Sequence, residues 1–251
     1  MMNYSIPIIF GIAPSFIWLL FYLRKDHHPE PNKMVLKIFF YGMLATIPVL
    51  FLEIAVAGAL ENLTLSPLIK TIIYWFFGIA FIEETFKYLV IRYKVLNHPD
   101  FDEPVDVMIY MIISALGFAA LENILALLSM GKSIAGTAAI SSLRFLGATF
   151  LHTLCSGVVG YFLAISLCEA KKKKRTFIFG LLIAVALHGL FNIFIIGNGE
   201  SWTIIKNSFA ITDPQLFIIT FVPLLLILTG LAIFVLRGFK KLKKMKSVCK
   251  V

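Results

Sequence analysis

The sequence predicts an all-α fold: a polytopic membrane helical bundle of seven transmembrane helices, with the N-terminus outside and the C-terminus cytoplasmic. Three observations carry that expectation. Hydrophobic residues make up 59% of the 251 residues and charged ones 15%, and mean hydropathy is +0.90, which leaves too little polar surface for a soluble globule. Seven apolar runs are long enough to cross about 30 Å of hydrocarbon, which takes roughly 20 helical residues. Lysine and arginine collect in every second loop, the pattern that the positive-inside rule reads as cytoplasmic.

The runs are Asn3 to Leu23, Met34 to Leu60, Lys70 to Ile91, Val105 to Met130, Thr137 to Leu167, Thr176 to Gly197 and Leu216 to Arg237. Each must be helical, because lipid offers no partner to an unpaired backbone group. Arg24, Lys25 and Lys33, then Arg92 and Lys94, then Lys171 to Arg175, and finally the tail supply the cytoplasmic charge. The other loops carry only Lys70, Lys132 and Lys206, and an even number of spans would break the alternation. A seven-span domain over 1–237 and a basic cytoplasmic tail over 238–251 follow. The first run lacks a basic leader and exceeds the ~7 to 15 residues of a signal-peptide core, so it is expected to be retained.

The net charge of +9 is concentrated in loops and tail, so it speaks for topology and for anionic headgroups, and against nucleic acid as a partner. Cys155 lies in an apolar run while Cys168 and Cys249 flank basic clusters, which gives no disulfide framework. In the first cytoplasmic loop, Asp26-His27-His28-Pro29-Glu30-Pro31, the prolines forbid a continuous helix and force an extended turn. No internal repeat suggests a transporter built from duplicated halves.

Chemistry is concentrated in polar residues inside the spans, where a charge near the bilayer centre costs at least roughly 2.5 to 3.5 kcal/mol. The third span carries Glu83, Glu84 and Lys87, with Lys87 one turn beyond both carboxylates and able to neutralise either. The fourth carries Phe118, Glu122 and Asn123, the fifth Arg144 and His152, and the sixth His188 and Asn192. The seventh is polar only at Thr220 and Thr229, which predicts a lipid-facing or packing role. Ala115 and Ala119 precede Glu122, and Ser156, Gly160 and Ala164 continue the face begun by His152, so these stripes are expected inside the bundle.

At ~1.5 Å per residue, Glu84 should lie about 12 Å from its cytoplasmic helix end, His188 about 20 Å, Glu122 about 24 Å and His152 about 28 Å. Tilt can bring Glu84, Glu122 and His188 together, and His152 less easily. Arg144 falls near the outer surface, as a snorkelling or pairing residue. The converging groups are expected in a buried, water-accessible cavity open toward the cytoplasm. Carboxylates sharing such a site cannot all ionise, which leaves one able to act as a general base. His188 and Asn192, on one helical face, could donate to a developing oxyanion.

The ordered set Glu83-Glu84-x-x-Lys87, Phe118-x-x-x-Glu122 and His188-x-x-x-Asn192 on separate spans resembles the PrsW family of intramembrane proteases. The Asp26 to Pro31 loop is similar to that family's proline-rich segment, and the resemblance runs from about Tyr22 to Asn192. It implies an endopeptidase that cleaves a membrane-anchored protein, such as an anti-sigma factor, in the bacterial plasma membrane. By the same resemblance Glu83 and Glu84 activate water, His188 and Asn192 stabilise the tetrahedral intermediate, and Glu122 assists the base or balances Lys87. Lys87, Phe118, Asn123 and His152 support them. In the wider group that includes CAAX-processing enzymes, an arginine usually stands one residue beyond the position of Lys87 and a histidine at that of Glu122.

Nothing here resembles a His-Glu-x-x-His zinc helix, and catalysis by glutamate without a cofactor is preferred. A zinc ion on Glu84, Glu122, His152 and His188 is the other reading. Two further functions share these residues: a proton- or cation-coupled transporter or channel using the carboxylates and histidines as a relay, and a seven-span sensor.

Overall fold

A computed structural model describes residues 4–25, 28–99, 101–130, 133–168, 173–196 and 211–245. Asp26 and His27, Lys132, Lys171 and Lys172, Lys206 and the tail from Lys246 lie outside the described residues, as do Asn3 and Gly197 at two expected span ends. The described elements are all helical: α1 Ser5–Leu23, α2 Asn32–Glu61, α3 Pro67–Ile73, a π-helical segment Tyr74–Phe81, α4 Ile82–Lys94, α5 Pro104–Met130, α6 Ile134–Leu146, α7 Ala148–Cys168, α8 Lys173–Ile196 and α9 Asp213–Leu242. Six helical stretches, α6 and α7 counted as one, are long and apolar enough to cross a membrane.

Two expected spans differ in form. The third is not one α-helix but three consecutive helical elements of 7, 8 and 13 residues, started by Ser66, whose hydroxyl accepts from the Ile69 N–H, and by Pro67 in the first turn. Its middle element widens to π-helical hydrogen bonding just before Glu83, a form that appears frequently at functional sites. The fifth expected span breaks at Gly147, whose φ of −100° and ψ of −95° leave the helical region. A Cβ there would meet the Leu143 carbonyl oxygen at 3.0 Å, so a side chain would crowd the bend. At the other end of the chain α9 runs on to Leu242, past Arg237 where the last span was expected to stop.

α5 is the axis of the bundle, buried along most of its length and packed by α1, α2 and α7. From Val105 to Ala120 every residue is buried, the mark of a helix enclosed on all sides over that length. At the α2–α5 seam the backbones touch: a Cβ on Gly42 would fall 2.1 Å from the Ser114 carbonyl oxygen, and one on Gly117 would fall 1.9 Å from that of Phe39. Small residues permit this approach, and dispersion and weak polar contacts then hold helices together where lipid gives no hydrophobic drive. Gly160 on the expected small-residue face of α7 likewise sits against the Met108 backbone. Helix α9 buries only 17% of its most apolar stretch, as its nearly unbroken apolar sequence suggests.

The basic helix ends gather at one end of the bundle. Tyr22 at the end of α1 stacks on Phe239 near the end of α9, and Lys94 and Lys241 lie over the rings of Tyr41 and Tyr161. The α1–α2 loop is tied to the same end: Tyr110 donates to the Glu30 carboxylate, and His28 Nδ1 lies 2.7 Å from Glu103. Pro31 at the start of α2 has the extended backbone expected of this loop, with ψ of 124°.

Candidate active site

Glu83, Glu84 and Lys87 project from the first turns of α4 into the space between α7 and α8, all three buried. An ammonium has three N–H donors, and Lys87 places all three on acceptors. Nζ lies 2.9 Å from Glu83 Oε2, 2.9 Å from Glu84 Oε1 and 2.8 Å from His152 Nδ1. The Phe118 ring covers it at 4.5 Å from Nζ to the ring centroid, a favourable face for a desolvated cation. The ammonium therefore offsets both carboxylates at once rather than one of them.

Partners assign the imidazole tautomers. Because His152 Nδ1 accepts from Lys87, the neutral ring carries its proton on Nε2, which donates to Glu122 Oε2 at 2.9 Å. The same Glu122 oxygen lies 3.1 Å from Arg144 Nη2. Asn123 locks the arrangement by accepting from Arg144 Nε and donating to Thr149 and to the Gly11 carbonyl. His188 Nδ1 donates to Glu84 Oε1 at 3.0 Å, which leaves Nε2 facing Glu83 Oε2 at 4.0 Å. Ser156 donates to Glu84 Oε2 at 3.2 Å.

The two neighbouring glutamates thus have different surroundings. Glu84 is fully buried and receives Lys87, His188 and Ser156. Glu83 receives Lys87, and its Oε2 also faces His152 Nδ1 at 3.7 Å and His188 Nε2 at 4.0 Å.

Several expectations change in this geometry. His152, expected to join the others less easily, is at the centre of the cluster, on a helix that begins afresh after Gly147. Among the described residues the grouping with metal-ligand spacing is Glu83, Glu84, His152 and His188, with one donor atom from each within 4.8 Å of the others, and Glu122 bonds the far nitrogen of His152. Arg144 is a pairing residue. Asn192 is buried one turn beyond His188 but makes none of the hydrogen bonds that join the cluster. Glu122, at 31%, and Arg144, at 21%, are the more exposed members of the set.

Glu53 on α2 escaped the sequence reading. It stands within electrostatic reach of Glu83, Glu122 and Lys87, and its signal was the same one that exposed the others, a lone carboxylate inside an apolar run.

Carboxylate oxygens and imidazole nitrogens at this spacing suit zinc by donor type, so Glu83, Glu84, His152 and His188 are the residues that would hold it. Lys87 makes its three contacts to three of those same residues.

A bundle that gathers buried carboxylates, imidazoles and an ammonium among helices apolar enough to cross a membrane has the makings of an intramembrane enzyme. The comparison with known proteins gives it a family. Residues 30–228 match the model of the PrsW family intramembrane metalloproteases. The Protease PrsW of Oceanobacillus iheyensis is 31% identical over 204 residues, covering 80% of this chain and 87% of that one. Those of Geobacillus kaustophilus and Bacillus subtilis are 31% and 30% identical over 193 and 194 residues, covering 76% of this chain in each case and 80% and 83% of theirs. No solved structure matches. The chain belongs to the PrsW family, and is an intramembrane protease, a hydrolase located in a membrane.

Proposed function

We propose that the chain hydrolyses a peptide bond in a membrane-anchored protein, with Glu83 as the base that takes a proton from the attacking water. What supports this assignment is the unequal company of the two glutamates: Glu84 is held by three donors, whereas Glu83 keeps an oxygen facing His188 Nε2 across 4.0 Å. The water oxygen forms its bond to the carbonyl carbon as its proton passes to Glu83. When the C–N bond breaks, the same proton goes to the leaving nitrogen.

Glu84 holds Lys87 and His188 in place. His188 donates to the developing oxyanion only as an imidazolium, since its Nδ1 proton is committed to Glu84. Asn192 on the next turn can turn a neutral amide N–H to the same oxygen. Glu122 fixes the orientation and tautomer of His152. A zinc ion on the four clustered residues would supply Lewis-acid polarisation of the carbonyl.

The Pro67 to Lys94 stretch acts as the third of seven spans on this reading, short of the usual apolar length because it carries the catalytic charges. The basic ends then face the cytoplasm and the N-terminus lies outside, in a bacterial plasma membrane. Regulatory proteins of the anti-sigma type are the substrate class.

The test uses purified protein in detergent with a panel of single-span substrates. Glu83→Gln and Glu84→Gln should each lower cleavage by about 100-fold or more, with membrane insertion intact. Cleavage equal in wild type and both variants would remove the glutamates from the reaction. Loss on adding a zinc chelator would transfer the chemistry to the metal.

A further inference from the structure

The helices that carry the cluster part company at the basic end. α7 and α8 pack along their length, whereas α4 touches each of them over a shorter stretch. The divergence leaves a cavity of about 890 Å³ between the ends of α4 and α7, the start of α8 and the loop after α4. That volume is within the roughly 300 to 1,000 Å³ of small-ligand sites.

Its wall and its rim differ in chemistry. The wall is apolar and aromatic, with the Tyr88 and Phe177 rings 4.4 Å apart and Leu163 buried beside them. The rim is cationic: Arg92 from α4 and Lys173 and Lys174 from the first turn of α8, with no acidic residue among the described lining residues. Arg92 donates to the Tyr88 hydroxyl at 3.2 Å, which links rim to wall.

We propose that this cavity binds an anionic phospholipid, with its phosphate among Arg92, Lys173 and Lys174 and its acyl chains along Tyr88, Phe177 and Leu163. A soluble phosphate would use the rim and leave the apolar wall without a role. Basic pockets between membrane helices near the headgroup level are suited to this class of ligand. The bound lipid ties together the ends of the three helices that hold Glu83, Glu84, Lys87, His152 and His188, and Tyr88 follows Lys87 directly in the chain. Binding stands apart from the protease reading and is measured without turnover.

The full chain, purified in a neutral detergent, is titrated with dioleoyl phosphatidylglycerol or with the phosphatidylcholine of the same chains, and read by native mass spectrometry and thermal unfolding. Phosphatidylglycerol should be retained with about tenfold preference and raise the unfolding temperature. Arg92→Gln combined with Lys174→Gln should reduce that preference by roughly tenfold. Lys240→Gln combined with Lys241→Gln removes the same charge from another helix end and should leave it unchanged. Equal retention of the two lipids would overturn the proposal, as would equal loss in both double variants. Stabilisation by glycerol phosphate alone would assign the rim to a free anion, and displacement by an acidic peptide would assign the cavity to a protein segment. Either result would also overturn it.

Discussion

Lys87 and His152, 65 positions apart in the chain, meet at 2.8 Å between Nζ and Nδ1. One cation is thereby shared by two carboxylates and a base, and α4 is joined to α7 through Lys87 with His152 and Glu84 with Ser156. The cation is fully buried, so its removal has consequences for folding as well as for chemistry.

Replacing Lys87 by Met is expected to leave Glu83 and Glu84 buried without their counter-charge, at a cost of roughly 3 to 5 kcal/mol. Unfolding in a denaturing detergent titration measures it, and an unshifted midpoint would contradict the shared-cation arrangement. Saturating Zn²⁺ should restore part of the loss in this variant, because a ligand that binds only the folded state stabilises it.

Glu122→Gln keeps the size of the side chain but removes the charge between His152 and Arg144. Loss of a partner that orients a histidine predicts a fall in cleavage of roughly 10-fold or more. Arg144→Gln should act through the same carboxylate, so the double variant should fall short of the product of the two single effects. Strictly multiplicative losses would mean that Arg144 acts elsewhere.

The glycines separate into two kinds. Gly117→Ala would drive a Cβ into the Phe39 carbonyl, so at least the ~1 to 3 kcal/mol of overpacking is expected. Gly58→Ala, also on a helix, meets nothing within 4 Å and should hold or raise the unfolding temperature. Similar shifts in the two variants would argue against backbone contact between α2 and α5.

Topology is open to labelling. With the native cysteines replaced, a cysteine at Lys173 and one at Leu63 should react with an impermeant maleimide from opposite faces of the membrane. Reaction of both from one face would exclude an odd number of crossings.

The helices and most of the cluster were legible because a charge in an apolar run has few explanations, and Glu83, Glu84, Lys87 and His188 each stood in one. His152 was harder to place, since counting residues from a basic loop assumes straight, unbroken helices, and Gly147 interrupts the one that carries it. The π-helical stretch before Glu83 has no marker, because Tyr74 to Phe81 would read equally well as α-helix. Ser156 looked like one of several small packing residues, and its bond to Glu84 depends on a pairing of α4 with α7 that no local pattern reveals.

The saturated donors of Lys87 have a further meaning when the charges are counted. Within the hydrogen-bonded set, three carboxylates, Glu83, Glu84 and Glu122, face two fixed cations, Lys87 and Arg144. With neutral imidazoles the set is one positive charge short of neutrality. A proton passed from a water to a carboxylate would leave the charge of the site and its water unchanged, with the deficit then carried by the hydroxide, so only an added cation offsets it. A divalent ion added beside Lys87 would overshoot it, and the two kinds of cation are alternatives for one vacancy in the charge balance.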